Sequence, residues 1–190
     1  MERINIGVIL LKKIYLIRHC EAEGQPPEAK LTERGLKQAL ELSWFLSDRK
    51  IDRIIASPYK RAIQSIQPLA QRLNIEIKTD QRLIERVLST TNLSDWFEKL
   101  KTTFDDLELK FEGGESSQEA MKRIVEVLEE VFNSESKKTI IVTHGNILSL
   151  LLKYFNNDFG FEDWRNLSNP DVFLLKNEDN KVTIERIWKG

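Results

Sequence analysis

The stretch I14-Y-L-I-R-H-C-E-A-E-G-Q-P-P27 opens on an apolar run and breaks abruptly into polar residues, setting one of the chain's two histidines beside its only cysteine. K13-I-Y-L-I17 has the composition of a strand covered on both faces. Arg18 and His19 then fall where that strand ends. T139-I-I-V-T143 repeats the pattern and stops at H144-G145-N146, so the second histidine also falls at a strand end.

Helical periodicity fills the space between these runs. Thr32 caps a helix whose Leu36, Ala39, Leu40, Ser43 and Leu46 share one face. I54-I-A56 reads as a short strand, and S57-P58 as the cap and first residue of a helix with Ala62, Ile66, Leu69, Ala70 and Leu73 buried, bent at Pro68. I75-E-I-K78 is a further strand. L93-S-D-W-F-E-K-L100 is a short amphipathic helix within a polar, acidic segment, 86–112, that is expected to form a lid or insertion. Ser116 and Glu119 form a capping box for a helix lined by Ala120, Ile124, Val127, Leu128, Val131 and Phe132. I147-L-S-L-L-L152 starts another helix, and D171–K176 with K181–W188 around N177-E-D-N180 reads as a hairpin. Alternating strands and helices predict a three-layer α/β/α sandwich with a mostly parallel central sheet and an antiparallel edge. Ligands of such sheets sit at the carboxyl ends of the strands.

The 190 residues, 41% hydrophobic and 31% charged, suit one globular domain at 13–190, with residues 1–12 an extension ahead of the first clear strand. A net charge of -1, from 29 basic and 30 acidic residues, gives no footprint for nucleic acid or a membrane surface. The apolar G7-V-I-L-L11 is far shorter than the ~20 residues of a membrane span and lacks the marks of a signal peptide. A lone cysteine forms no internal disulfide and suits a reducing compartment. A cytoplasmic protein is expected. Oligomeric state is not legible.

The pair H19-C20 raises two nucleophiles. Cysteine phosphatases carry H-C-x-x-x-x-x-R, but the arginine's position is Pro26, and Glu21 and Glu23 flank the thiol and disfavour a thiolate. Histidine has better company. Arg18, His19 and His144 lie at strand ends and Arg61 in the first turn of a helix, so two guanidinium forks and helix N-termini match the oxygens of a phosphoryl group. An imidazole among these cations has its pKa lowered and stays neutral.

These residues carry a resemblance. R18-H19-C20-E21 is similar to R-H-G-E of the histidine phosphatase superfamily, also called phosphoglycerate-mutase-like, and L31-T-E-R-G-L-K-Q-A39 to its L-T-x-x-G-x-x-Q-A. S57-P-Y-K-R-A62 resembles S-P-x-x-R-A, L83-I-E85 resembles L-x-E, G113-G-E-S116 resembles G-G-E-S, and T143-H-G145 resembles the second S/T-H-G. The resemblance spans residues 13–188 and keeps the family's order.

It implies that His19 accepts phosphate, that Arg18, Arg61 and His144 form the phosphate pocket, and that Glu85 gives a proton to the leaving group and later activates water. Glu21, Glu23 and Glu115 are rival acids. Gln25 stands where an asparagine often reaches the phosphate, and the Ser57 hydroxyl is a further substrate contact. Cys20 replaces the family glycine and is expected to crowd the turn; Ala22 replaces a serine or threonine. Trp96 and Phe97 are expected to pack under the lid, and Asn146 to cap the helix after the second histidine. No metal or cofactor is implied. The expected function is a metal-independent phosphatase acting on a small phosphorylated metabolite through phosphohistidine. The alternatives are a phosphoglycerate mutase using the same pocket, against which the acidic 86–112 counts, and a non-catalytic phospho-ligand-binding domain.

Overall fold

The computed structural model describes residues 12–178 and 181–188. Residues 1–11, which hold most of the expected extension, and Asp179 and Asn180 of the expected hairpin turn lie outside the described residues.

Strand β1 (Lys12–Arg18) lies at the centre of a six-stranded sheet and takes in Lys12, a residue expected to precede it. Lys12 is buried, and its ammonium donates to the Val131 and Ser134 carbonyls. The remaining strands are β2 (Arg53–Ala56), β3 (Ile77–Thr79), β4 (Lys138–Thr143), β5 (Asp171–Glu178) and β6 (Lys181–Arg186). Their order is β3-β2-β4-β1-β5-β6. The first three pairings are parallel, and β5 and β6 add an antiparallel edge.

The alternation of side chains along each strand divides the core between two layers. Ile14, Leu16, Ile55 and Ile141 face helices α4 (Ser117–Asn133) and α5 (Gly145–Phe155). Tyr15, Ile17, Ile54, Ala56, Ile140 and Val142 face α1 (Glu33–Leu46) and α2 (Lys60–Leu73). Covered on both sides, β1 and β4 could carry apolar residues at nearly every position, which is the pattern seen in the sequence.

The caps of α1 and α4 form as expected. Thr32 Oγ1 accepts from the Gly35 amide at 2.9 Å, and Ser116 and Glu119 complete the reciprocal box that starts α4. The buried face of α1, however, differs from the expected one. Leu36 is 49% and Leu40 53% exposed, and the face is Gly35, Gln38, Ala39, Leu42, Ser43 and Leu46. Two contacts set this rotation. A Cβ on Gly35 would lie 2.0 Å from the Glu21 carbonyl oxygen, so the backbone itself packs there. Gln38 bridges the Glu21 amide and the Asn169 carbonyl. Periodicity alone favoured the leucines, but the contacts of a glycine and a glutamine decide the outcome.

Helix α2 begins at Lys60, later than Ser57-Pro58 suggested, and Tyr59 is its N-cap residue. The Ser57 hydroxyl accepts from the Tyr59 amide at 3.3 Å but also contacts His144 across the sheet at 2.7 Å, so it shapes the turn before the helix. The helix runs through Pro68 and ends at Asn74 in the left-handed region. Strand β3 starts two residues later than expected. Within 86–112, helix α3 (Trp96–Asp105) is displaced from the expected 93–100 because Leu100, Thr103 and Phe104, not Leu93, supply its buried side. A short helix, α6 (Phe161–Arg165), was not foreseen. Its Phe161 joins Leu100 and Phe104 in a small third cluster, with Leu88 and Trp164 packed against it. No helix among the described residues is long and apolar enough to cross a membrane.

Gly35→Ala tests the constraint on α1. In an open helix the change stabilises by about 0.5–1 kcal/mol. Here the new methyl collides with backbone, and we expect a loss of roughly 1–3 kcal/mol in urea unfolding.

Candidate active site

Parallel pairing of β1 with β4 brings the two strand ends level. Arg18 is in register with Thr143, and the His19 amide donates to the Thr143 carbonyl at 3.0 Å. His19 and His144 therefore leave the sheet side by side, with ring centroids 5.1 Å apart and planes inclined by 63°. β2, on the other side of β4, delivers Ser57 to the same edge, where its amide donates to the Val142 carbonyl. Arg61 follows in the first turn of α2.

The contacts of His19 define its tautomer. Arg61 Nε, which can only donate, lies 3.2 Å from His19 Nε2, and the Cys20 carbonyl, which can only accept, lies 2.6 Å from Nδ1. The proton thus sits on Nδ1, and Nε2 keeps its lone pair. Burial lowers the pKa of His19 to about 3, against the upward pull of the Cys20 carbonyl, and the Arg61 and Arg18 charges push it lower still. The ring is neutral over the physiological range. His144 is fully buried and held well below the usual histidine range by burial first, then by His19 and nearby arginines.

Two guanidinium groups flank this imidazole. Arg61 Nη1 donates to the Gln25 and Pro26 carbonyls at 2.9 Å each, and Arg18 Nη1 donates to the Leu167 carbonyl at 2.9 Å. Arg18 Nε is buried and unpartnered. Gly145, the first residue of α5, makes room for Arg18, since a Cβ there would meet its guanidinium at 3.1 Å.

Glu85 sits at the N-terminus of α5. Its Oε2 accepts from the Asn146 amide and its Oε1 from the Ile147 amide, both at 3.0 Å, satisfying donors that a helix leaves free. Thr143 Oγ1 donates to the Leu83 carbonyl at 2.7 Å and ties the segment before Glu85 to the end of β4. The rival acids are differently placed. Glu115 is gripped by Arg123 through both oxygens, at 2.6 and 3.0 Å. Glu21 accepts from Thr32 at 2.8 Å and pairs with Arg34 at 3.5 Å. Glu23 is exposed and, unlike Glu21 and Glu85, is not among the residues described as lining the cavity.

These groups open onto a cavity of about 630 Å³ whose lining includes Arg18, His19, Gln25, Arg61 and Glu85. His144 and Ser57 are not among its lining residues. They lie behind it, fully buried, with His144 Nε2 and Ser57 Oγ in contact. The Gln25 side chain is exposed at the rim, and its backbone carbonyl holds Arg61. Cys20 points into the core, where burial pushes its thiol up to about 12, a value that leaves no useful thiolate. The turn is not crowded by this side chain, because it packs in the α1–α2 layer rather than in the cavity, while the Cys20 amide donates to Ser65 Oγ at 2.8 Å.

Two neighbours, Asn169 and Tyr59, escaped the sequence reading, and a third, Asn146, was expected in another role. Asn169 Nδ2 holds the His19 carbonyl at 2.7 Å, and its own carbonyl is held by Gln38. The Tyr59 ring packs 4.9 Å from His144, with Arg61 over its face at 4.9 Å. Asn146, expected to cap α5, lies inside that helix; His144 is the N-cap residue. The side-chain amide of Asn146 is buried without a partner, and the residue lines the cavity. Only Asn146 had a sequence signal, its place beside His144.

Comparison with known proteins assigns the family. The sequence profile of the histidine phosphatase superfamily (branch 1) matches residues 14–189, and the chain belongs to that superfamily. Phosphoserine phosphatase 1 of Hydrogenobacter thermophilus is 31% identical over 145 residues, covering 68% of this chain and 69% of that one. The 2,3-bisphosphoglycerate-dependent phosphoglycerate mutase of Thermoplasma acidophilum is 29% identical over 163 residues, covering 80% and 76%. In structure, a mycobacterial glucosyl-3-phosphoglycerate phosphatase superposes with a TM-score of 0.74 at 19% identity over 93% of this chain and 97% of that one, a likeness of fold.

Neutral buried histidines have a thermodynamic consequence. In the unfolded chain histidines take protons near 6.5, whereas His19 resists until about 3 and His144 also lies far below the ordinary value. The unfolded state binds more protons through that window, so these groups cost stability progressively as pH falls from about 6.5 toward 3. We expect imidazole NMR signals of His19 to show the Nδ1–H tautomer unchanged down to about pH 5. His19→Gln is expected to flatten the acid limb of the unfolding free energy.

Proposed function

We propose that this chain is a metal-independent phosphatase that hydrolyses a small phosphorylated metabolite through a phosphohistidine at His19. The observation that carries the reading is the tautomer: Nδ1–H donates to the Cys20 carbonyl, and Nε2 keeps a lone pair that faces the Arg61 guanidinium at 3.2 Å.

The substrate's phosphoryl oxygens take the free donors of Arg18 and Arg61 and draw Arg61 Nε away from His19. Nε2 then attacks phosphorus as the bond to the leaving oxygen breaks, and Glu85 in its protonated form gives that oxygen a proton. Water next attacks the phosphohistidine while Glu85 takes its proton, the P–N bond breaks, and phosphate leaves. The covalent step divides one displacement into two. The fixed guanidinium groups stabilise charge on the transferring group without rearrangement. Ser57 holds His144 upright beside the nucleophile, and Asn169 and the Cys20 carbonyl hold His19, so these three residues position groups rather than react. Residues 86–112 cover the cavity as a lid.

The same pocket suits a phosphoglycerate mutase, and a relative bears that name. Hydrolysis is favoured because the cations among the described lining residues are Arg18, Arg61 and Arg86, and Arg86 is committed to protein partners. A binding domain without catalysis would need those cations but not a neutral imidazole with an unprotonated Nε2.

His19→Ala is expected to reduce hydrolysis of a generic aryl phosphate by about 10³-fold or more, and Glu85→Gln by about 10²-fold or more, with EDTA leaving the wild type unchanged. Rapid quenching without acid should trap labelled phosphate on the wild type and none on His19→Ala. Full turnover by His19→Ala would end the proposal, and interconversion of 2- and 3-phosphoglycerate with a bisphosphate primer would favour the mutase.

A further inference from the structure

The cavity at the sheet edge is larger than a phosphoryl group requires. At about 630 Å³ it lies within the roughly 300–1,000 Å³ of sites that enclose a whole small molecule. Its lining divides into two chemically distinct parts. Arg18, His19, Arg61 and Glu85 gather at the strand ends. The rest of the wall carries an apolar patch of Val87, Leu88, Trp96, Leu100 and Trp164, drawn from the segment after Glu85, from α3 and from α6, beside polar residues that include Asn146 and Asn169.

The second part is built to stay in place. Trp96 and Leu100 are one helical turn apart on α3 and share a face. Behind them Phe161 is buried, with its ring 5.0 Å from Phe97, 5.9 Å from Phe104 and 5.3 Å from Trp164, each within the range of favourable aromatic pairs. Trp96 nonetheless remains 51% exposed, and Val87 is exposed beside the cavity as well. Large apolar surface is left open to water on the wall that faces the phosphate-sized pocket.

Charge is distributed in the opposite sense. Arg86 is the further cation of the lining, but it is buried and donates to Thr103 Oγ1 at 2.7 Å, Ser117 Oγ at 2.9 Å and twice to the Glu115 carbonyl. It braces α3 against α4 and does not serve a ligand. Glu21, at the rim of the described lining, adds negative charge. A carboxylate or second phosphate on the far end of a substrate would therefore lose its hydration without gaining a counter-charge, which is costly.

We infer that the substrate is a phosphate monoester of an uncharged, apolar alcohol, preferably aromatic, with the organic group held by Trp96, Leu100 and Trp164. This rests on the phosphate-pocket reading above, and it separates the substrate from phosphorylated carboxylic acids. Trp96 is the specificity-determining residue, because it is the exposed ring on the α3 face that the cavity shares with Leu100.

Calorimetric titration with benzylphosphonate, 3-phosphonopropionate and inorganic phosphate tests the inference without relying on turnover. Wild type should bind benzylphosphonate about tenfold or more tightly than 3-phosphonopropionate. Trp96→Ala should weaken benzylphosphonate by about five- to tenfold, leave inorganic phosphate within about twofold, and be largely rescued in Trp96→Phe. Equal or tighter binding of 3-phosphonopropionate, no binding of benzylphosphonate, or no effect of Trp96→Ala overturns it. Turnover separates the two proposals. Preferential benzylphosphonate binding without hydrolysis of 1-naphthyl phosphate would sink the phosphatase and leave the apolar site, whereas hydrolysis of 3-phosphoglycerate in preference to 1-naphthyl phosphate would sink the apolar site and leave the phosphatase.

Discussion

The hydrogen bond from the His19 amide to the Thr143 carbonyl is the last rung of the β1–β4 ladder, and the site depends on where that ladder ends. Strand geometry alternates side chains between faces, so a slip of one residue would send every side chain of the shifted strand into the opposite packed layer. The two packed layers forbid that slip. Register fixed by core packing therefore becomes register between two imidazoles, and residues far apart in the chain meet with ring centroids 5.1 Å apart.

Around that ladder the molecule manages the cost of burying cations next to neutral rings. Arg18 and Arg61 are held largely by backbone carbonyls, from Leu167, Gln25 and Pro26, which satisfy donors without neutralising charge. Glu85 supplies negative charge nearby, itself held by the first amides of α5. Both arginines disfavour a second positive charge on His19, and desolvation, the larger effect, keeps the ring neutral. Cys20, one residue away, shows the same physics with the opposite direction of shift, since burial pushes its thiol up to about 12 and likewise keeps the group neutral.

Much of the fold was legible. Two doubly covered strands, the caps at Thr32 and Ser116, and the helical stripes of α2 and α4 all express local chemistry, and each formed close to its expected place. The misplacements share a cause. Leu36 and Leu40 turned outward because Gly35 and Gln38 have partners in the turn after β1 and before β5, contacts that periodicity does not encode. Ser57 lies before the helix start, and its hydroxyl meets a buried histidine just past the end of β4. The shift of α3 and the appearance of α6 follow from a small aromatic cluster that exists only once both segments have met.

The sequence by itself determined the chemical inventory of the site: which imidazoles, guanidinium groups and carboxylate stand at strand ends and helix starts, and that their charges suit an anion. Those properties are local, since residue type and spacing along one element settle them. Tertiary structure alone decided the proton's place on His19, the withdrawal of His144 and Ser57 behind the cavity, the engagement of Glu115 by Arg123, and the apolar wall that α3 and α6 build together. Each of these depends on a distance between atoms brought together from separate elements, and pairing energies fall away over a few ångströms that no one-dimensional spacing records.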